Sequence, residues 1–212
     1  LHEPKFHGNE LKYLKKCIKS TWVSTSGKYI EKFEKKIANY TKSKFAIACN
    51  SGTSSLHISL LVAGVSNYDE VIVPTVTFIA PINAVSYVNA VPIFMDCDQY
   101  FNINIKKTIE FINNETLFRN GFTINKKTKK KIKALIVVHV FGNAVALEEI
   151  KKICRKRNIK LIEDCSENLG GSYSNKLSGS VFDVSTFSLY ANKTITSGEG
   201  GIVCTSSEEI CK

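Results

Sequence analysis

The 212-residue sequence has no long hydrophobic run and no recognisable leader. A transmembrane helix needs about 18 or more consecutive apolar residues, and no such stretch is present. The chain starts Leu1-His2-Glu3-Pro4, without an initiator methionine and without the basic-then-apolar order of a signal peptide. We therefore expect a soluble protein with no membrane partner.

Disulfide and metal signatures are also missing. The seven cysteines include no Cys-x-x-Cys pair and have no histidine nearby to complete a ligand set, and most stand singly inside apolar runs. We interpret them as reduced core residues, which predicts a cytoplasmic protein without a metal site.

The net charge of +10 raises the alternative of a nucleic-acid partner, because clustered lysines neutralise phosphates. Six of the lysines, however, lie in one polar stretch between residues 126 and 133, and others decorate helix faces. A solvated surface is the better interpretation, and we predict no nucleic-acid partner.

Common nucleotide-binding fingerprints are absent as well. No G-x-x-x-x-G-K-[ST] pattern occurs, and Gly198-Glu199-Gly200-Gly201 lacks the last glycine of G-x-G-x-x-G. The sequence therefore favours neither a P-loop nor a dinucleotide-binding domain.

Short apolar runs alternate with amphipathic stretches, and this alternation predicts an α/β fold with parallel strands joined by crossover helices. A hydrophobic fraction of 43% is enough for one domain core. The polar stretch 113–133 is interpreted as an excursion between two core strands. The seven predicted strands are residues 45–49, 71–73, 91–95, 134–140, 160–162, 184–189 and 201–204, and the helical segments are 10–20, 29–40, 54–63, 78–88 and 146–157.

Ligands of open α/β sheets bind at the carboxyl ends of strands, so the residues after each run are the first candidates. Ser51-Gly52-Thr53-Ser54 follows a strand and opens a helix, as a phosphate-binding helix N-terminus does, although serine and threonine are also ordinary helix caps. Asp164 ends an apolar strand, where it would either cap a following helix or pair with a protonated ring nitrogen. A lone lysine after a strand is usually only solvated, but Lys193 lies between Ser188 and the glycine-rich segment 198–201, which makes it a candidate.

Five sequence blocks together resemble the DegT/DnrJ/EryC1/StrS family of sugar aminotransferases, whose cofactor is pyridoxal 5'-phosphate (PLP). The resemblance covers essentially the whole chain and is greatest to the legionaminic-acid and perosamine-type branch. It implies the aspartate-aminotransferase-like PLP fold (fold type I), with a mostly parallel seven-stranded sheet sandwiched by helices. The blocks are Asn50-Ser51-Gly52-Thr53, Pro74-Thr75-Val76-Thr77-Phe78, Val138-His139-Val140-Phe141-Gly142, Glu163-Asp164-Cys165-Ser166-Glu167 and residues 187–201 around Asn192-Lys193-Thr194.

The resemblance also implies roles for individual residues. Lys193 would bind PLP covalently as an imine and then transfer the proton, while Asp164 would pair with the pyridine nitrogen. Phe78 would stack on the cofactor ring. Gly52, Thr53 and Ser188 would bind the phosphate.

Glu167 departs from the glutamine or histidine that many relatives have at this position. The family pattern places residue 167 opposite the phenolic oxygen of the cofactor, where a carboxylate would repel a phenolate unless one of them is protonated. We expect Glu167 to bind the cofactor, and its role is left open.

The family resemblance further implies a domain organisation and a reaction. Residues 1–212 would be the PLP-binding large domain, with an N-terminal helical segment at 1–40, and a small C-terminal domain would be missing. The segment Trp22-Val23-Ser24-Thr25-Ser26-Gly27 would lie near a cleft shared by two subunits of a homodimer. The expected reaction transfers an amino group from L-glutamate to a keto carbon of a nucleotide sugar, with UDP- and GDP-linked 4-keto-6-deoxy sugars as the favoured acceptors.

Two alternatives remain open. One is a PLP-dependent sugar dehydratase of the same fold, although such enzymes have histidine in place of the cofactor lysine. The other is a non-catalytic nucleotide-binding or regulatory module.

Overall fold

The computed structural model describes residues 3–25, 27–180 and 182–211, which form one mixed sheet with helices on both faces and a separate small hairpin. The strands are β1 (Phe45–Cys49), β2 (Glu70–Pro74), β3 (Val91–Met95), β4 (Thr116–Arg119), β5 (Phe122–Asn125), β6 (Lys131–Val138), β7 (Lys160–Asp164), β8 (Ser172–Tyr173), β9 (Lys176–Leu177), β10 (Val184–Ser188) and β11 (Gly201–Thr205). The helices are α1 (Glu10–Ser20), α2 (Lys28–Thr41), α3 (Gly52–Val62), α4 (Ala80–Tyr87), α5 (Ile105–Asn114), α6 (Glu148–Lys156) and α7 (Glu208–Cys211).

The main sheet has the strand order β1-β11-β10-β7-β6-β2-β3, which contains all seven predicted strands. Strands β3, β2, β6, β7 and β10 run parallel, whereas β11 runs antiparallel to both of its neighbours, β10 and β1. The parallel strands therefore end at the same edge of the sheet. The predicted mostly parallel, seven-stranded arrangement is confirmed.

The polar stretch 113–133 adds two strands that were not predicted. β4 and β5 form a hairpin that lies off this seven-strand path, pairs antiparallel with β6 through β5 and brings the sheet to nine strands. Its two-residue turn is Asn120-Gly121, with φ of 51° and 77°, which is the sequence that a type I′ turn requires. The excursion is thus an ordered extension of the sheet.

Helices α4 and α5 differ from the sequence prediction for local reasons. Helix α5 was not predicted; it begins after Asn104, whose side chain accepts a hydrogen bond from the Lys107 amide at 3.0 Å. Helix α4 begins at Ala80 rather than at Phe78, with Pro81 in its first turn, where proline is tolerated. Phe78 consequently lies in the loop that precedes the helix.

The central strands are buried on both faces, as expected for a parallel sheet covered by helices. On one face, Leu56 and Leu60 of α3 pack against Val73 and Ile136. On the other face, residues of α5 and α6 such as Ile112 and Ile150 belong to the cluster that contains Leu135 and Leu161. These two layers hold the central strands β2, β6 and β7 in place.

The N-terminal helices make unequal contact with this core. Helix α2 packs on β1 and buries Ile37, whereas α1 has no buried residue and exposes Leu11, Leu14 and Ile18. No helix among the described residues is both long and apolar enough to span a membrane. The assignment of 1–212 as a large domain with a helical segment at 1–40 stays a prediction.

Candidate active site

A cavity of about 580 Å³ opens at the carboxyl ends of β1, β2, β6, β7 and β10. The parallel strand directions bring these ends together, although the residues that line the cavity are far apart in sequence. All seven predicted site residues lie on its wall, namely Gly52, Thr53, Phe78, Asp164, Glu167, Ser188 and Lys193. Their individual roles remain predictions.

The N-terminus of α3 provides backbone donors at the cavity. The Ser51 hydroxyl accepts the Ser54 amide at 3.1 Å and so caps the helix. The amides of Gly52 and Thr53 precede the first intrahelical hydrogen bond, which the Ser55 amide makes to the Ser51 carbonyl. The start of this helix can therefore both cap itself and bind an anion, so the two interpretations of Ser51–Ser54 are compatible.

Two glycines allow close approach of backbones beside α3. A Cβ atom on Gly52 would lie 2.8 Å from the Ser188 Cβ, and a Cβ on Gly201 would lie 2.2 Å from the Ser51 carbonyl oxygen. Any larger residue at either position would have to displace β10 or the start of α3. The absence of both side chains brings the Ser188 hydroxyl next to the first turn of the helix.

Asp164 ends β7 with its side chain buried, at 4% exposure, on the cavity wall. Its Oδ1 accepts the Ser166 amide at 3.0 Å, and no helix follows within the described residues up to α7. The carboxyl group therefore does not cap a helix. Burial raises the pKa of Asp164, while the hydrogen bonds from Ser166 and the nearby Lys193 act in the opposite direction.

Lys193 extends into the cavity and meets Glu167. The Lys193 Nζ lies 3.4 Å from the Glu167 Oε1, and the Glu167 Oε2 accepts the Phe141 amide at 2.8 Å. Phe141 adopts a left-handed conformation, with φ 53° and ψ 25°, which turns its amide toward Glu167. The carboxylate is thus held between a backbone donor and the lysine ammonium group.

Phe78 is available to stack on a planar ligand. Its side chain is 76% exposed and lies at the cavity wall, in the loop between β2 and α4. Phe141, at 77% exposure, lies on the same wall, where it makes an edge-to-face contact with Phe101. Exposed aromatic rings therefore line the opening of the cavity.

A buried polar cluster lies behind this wall. In the part of the chain that the structure describes, His139, Glu163 and Cys165 place potential metal-ligand atoms within 4.8 Å of one another, which sequence spacing did not indicate. His139 Nδ1 accepts the Val145 amide at 3.1 Å, so the ring proton lies on Nε2, which donates to Glu163 Oε1 at 2.8 Å. A histidine that binds a metal normally donates its second N–H instead. We therefore interpret the cluster as a hydrogen-bond network.

Sequence reasoning missed the Phe141 amide and the contact between Glu167 and Lys193. Neither has a short-range signal, because a left-handed phenylalanine cannot be recognised from residue type and the two charged residues are 26 positions apart. The seven cysteines, all among the described residues, are free thiols.

The fold and the cavity define the α/β domain of fold type I PLP-dependent enzymes. One solved structure of similar fold is an aminotransferase from Psychrobacter cryohalolentis, with a TM-score of 0.86 at 29% identity over 99% of this chain and 50% of that chain. Another is the Escherichia coli GDP-4-keto-6-deoxy-D-mannose-3-dehydratase with bound hydrated PLP, with a TM-score of 0.86 at 26% identity over 99% of this chain and 51% of that chain.

Residues 4–212 match the DegT/DnrJ/EryC1/StrS aminotransferase family, and the chain belongs to that family. The GDP-perosamine synthase of Escherichia coli O157:H7 is 40% identical over 210 residues, which cover 99% of this chain and 54% of that protein. The chain thus spans about half the length of the curated relatives it matches.

Proposed function

We propose that this chain binds PLP through Lys193 and contributes the cofactor site of a nucleotide-sugar aminotransferase. One observation supports this most strongly. A single cavity brings together a lysine amine, a buried carboxyl group and the N-terminus of a helix, at Lys193, Asp164 and Gly52-Thr53. These groups match the aldehyde, the ring nitrogen and the phosphate of the cofactor.

The local geometry fits such a ligand. The missing side chain at Gly52 leaves the amides of Gly52 and Thr53 beside the Ser188 hydroxyl, so all three can donate to a phosphate. Thr77, also on the cavity wall, has a buried hydroxyl with no hydrogen-bond partner among the described residues, which a polar ligand or its water would satisfy. Phe78 would cover one face of the ring.

In this proposal each of these residues has a defined role. PLP, when bound, supplies an electron sink next to the amino carbon. The ionised Asp164 holds the proton on the pyridine nitrogen, and a charge-assisted hydrogen bond does so more strongly than a neutral one. Lys193 anchors the cofactor and, once released, moves a proton at the reacting carbon. Glu167 holds the Lys193 amine in place through the contact between its Oε1 and the Lys193 Nζ.

Borohydride reduction followed by peptide mapping tests the cofactor site. Protein incubated with PLP and reduced should contain one pyridoxyl group, on Lys193. A Lys193→Arg variant keeps the charge but cannot form an imine, and it should remain unlabelled. Lys176→Arg, at an exposed lysine that pairs with Glu148, is the matched control and should label like the wild type. Labelling of another lysine, with Lys193 unmodified, would overturn the assignment.

We further propose that the reaction transfers an amino group from L-glutamate to a nucleotide-linked keto sugar, with a 4-keto-6-deoxy sugar as the favoured acceptor. The 40% identity to a GDP-perosamine synthase supports this proposal. Lys193 favours transamination over the dehydratase alternative, which the sequence pattern associates with histidine at this position. A panel of GDP- and UDP-linked keto sugars, assayed with glutamate and a protein as long as its relatives, tests both. Deoxygenation without amino transfer would refute the aminotransferase proposal.

We also propose that this chain is the large domain of a longer cytoplasmic protein. That protein would form a homodimer with composite active sites. The exposed Phe78 and Phe141 at the cavity opening support a second surface that covers them. The segment 22–27, expected near the shared cleft, includes Ser26, which lies outside the described residues. Light scattering of the long form should give a dimer, and a fully active monomer would contradict this.

A further inference from the structure

A row of buried polar side chains lies on the sheet face opposite Asp164. Glu163, the neighbour of Asp164 in β7, is fully buried and pairs in register with Ser185 of β10. Its Oε2 accepts the Ser185 hydroxyl at 3.0 Å, and its Oε1 accepts from His139 Nε2 at 2.8 Å. A buried carboxyl group is costly unless it is hydrogen-bonded in this way, so the network fixes the His139 ring.

The fixed ring in turn holds the end of a loop. We use the term 140–145 loop for residues 140–145, which follow β6. His139 Nδ1 accepts the Val145 amide at 3.1 Å at the far end of this loop. Val145 is buried, and the imidazole is the acceptor of its amide. A side chain without an acceptor at this position would leave the amide unpaired.

Asn102 holds the other end of the loop. Its Oδ1 accepts the Val140 amide at 3.3 Å, and its Nδ2 donates to the Asn143 carbonyl at 3.2 Å. Asn102 is buried, at 3% exposure, and comes from the segment before α5. Two buried side chains from different parts of the sequence thus hold the loop from inside the protein.

The outer side of the same loop faces the cavity. Phe141 is at its tip, with a left-handed backbone whose amide donates to the Glu167 Oε2 at 2.8 Å. The other oxygen of Glu167 lies 3.4 Å from the Lys193 Nζ. Hydrogen bonds at both ends, joined by the backbone of the 140–145 loop, therefore connect Glu163 and His139 to the cavity lysine.

We propose that His139 is a positioning residue: by accepting the Val145 amide it fixes the 140–145 loop so that the Phe141 amide holds the Glu167 carboxylate beside Lys193. An effect of His139 on the reaction rests on the proposed function, because Glu167 can influence the chemistry through Lys193 only if Lys193 binds the cofactor. The loop itself is a property of the chain without ligand. The two parts can therefore be tested separately.

Two substitutions of His139 separate positioning from packing. In His139→Asn, the side-chain oxygen takes the place of Nδ1 and can still accept the Val145 amide, but the side chain is too short to reach Glu163. In His139→Gln, the terminal amide can still donate to Glu163, but an aliphatic carbon takes the place of Nδ1. A packing role favours glutamine, which is nearer to histidine in size and keeps the buried Glu163 paired. A positioning role favours asparagine.

Amide hydrogen exchange, measured by NMR in the chain without cofactor, reports directly on the hydrogen bonds of the loop amides. We expect His139→Gln to accelerate exchange at Val145 and Phe141 by about tenfold or more, the scale set by leaving one buried amide without an acceptor, with β7 amides unchanged. His139→Asn should keep both amides within about threefold of the wild type. Glu167→Ala should accelerate Phe141 alone. If His139→Gln exposes Val145 but leaves Phe141 protected, the proposal is wrong.

A double-mutant cycle tests the link to the cofactor. PLP binding is followed by its visible absorption maximum in wild type, His139→Gln, Glu167→Ala and the double variant. If His139 acts through Glu167, His139→Gln should shift the band in the wild-type background and add no further shift in Glu167→Ala. Equal shifts in both backgrounds would refute the positioning role. If the wild type fails to bind PLP while the exchange results hold, the proposed function fails and the loop positioning stands.

Discussion

Replacing Asp164 by asparagine should affect stability and activity in opposite directions. The substitution keeps the shape of the side chain and the acceptor for the Ser166 amide, and it removes only the charge. Burial raises the pKa of Asp164 in the folded protein, which means that the folded state disfavours the ionised form. An uncharged isostere should therefore make the ligand-free protein more stable at neutral pH.

The pH dependence has a definite sign. For an acid with a raised folded pKa, the stability contribution is complete below the unfolded pKa and is lost as the pH rises through the folded pKa. Asparagine does not titrate, so the two proteins should be similar at low pH and diverge as the pH increases. An incompletely paired buried carboxylate costs about 2 kcal/mol. At pH values above the folded pKa of Asp164, the melting temperature of the variant should therefore be about 4–8 °C higher than that of the wild type.

Activity should fall because the same substitution removes the negative charge of Asp164. Without the carboxylate the ring nitrogen is no longer held protonated, and turnover should fall about 100-fold or more, or about 3 kcal/mol of activation free energy. Calorimetry of the ligand-free protein across pH measures the stability, and single-turnover rates of the long form measure the chemistry. An asparagine variant within a few-fold of the wild type in rate would remove Asp164 from the mechanism. Equal melting temperatures at all pH values would refute the energetic argument.

Three further substitutions have defined outcomes. Gly52→Ala would place its Cβ 2.8 Å from the Ser188 Cβ, so PLP affinity in a fluorescence titration should fall about tenfold or more, and unchanged affinity would contradict the phosphate assignment. Gly121→Ala, at φ 77° with open space around it, should cost about 1 kcal/mol in urea unfolding through backbone strain alone. Leu60→Ala should cost about 2–5 kcal/mol, whereas Leu61→Ala, at an exposed neighbour, should stay within about 0.5 kcal/mol, and equal losses would contradict the core assignment.

Much of the sheet was predictable because its central strands are buried on both faces and therefore appear as short apolar runs. The β4–β5 hairpin was not predicted, since its residues are mixed in polarity and its Asn120-Gly121 turn is a two-residue signal inside the polar stretch 113–133. Helix α5 was not predicted either, although Ile105, Ile109 and Ile112 follow helical spacing and pack in the core. The site residues were predicted from strand ends and from the family blocks. The Phe141 amide was not, because a backbone conformation set by tertiary contacts leaves no mark on residue type.

The position of β11 has a consequence for how the site is assembled. β1 leads directly into the start of α3, yet within the described part of the chain its single neighbour in the sheet is β11, and Phe45 pairs with Thr205 across 160 positions. During synthesis, β1 therefore cannot form its hydrogen bonds with β11 until residues 201–205 have been translated. Contacts of such sequence separation form slowly, since a large loop must close first. The helix N-terminus at the cavity is therefore translated well before the strand that completes the sheet beside it.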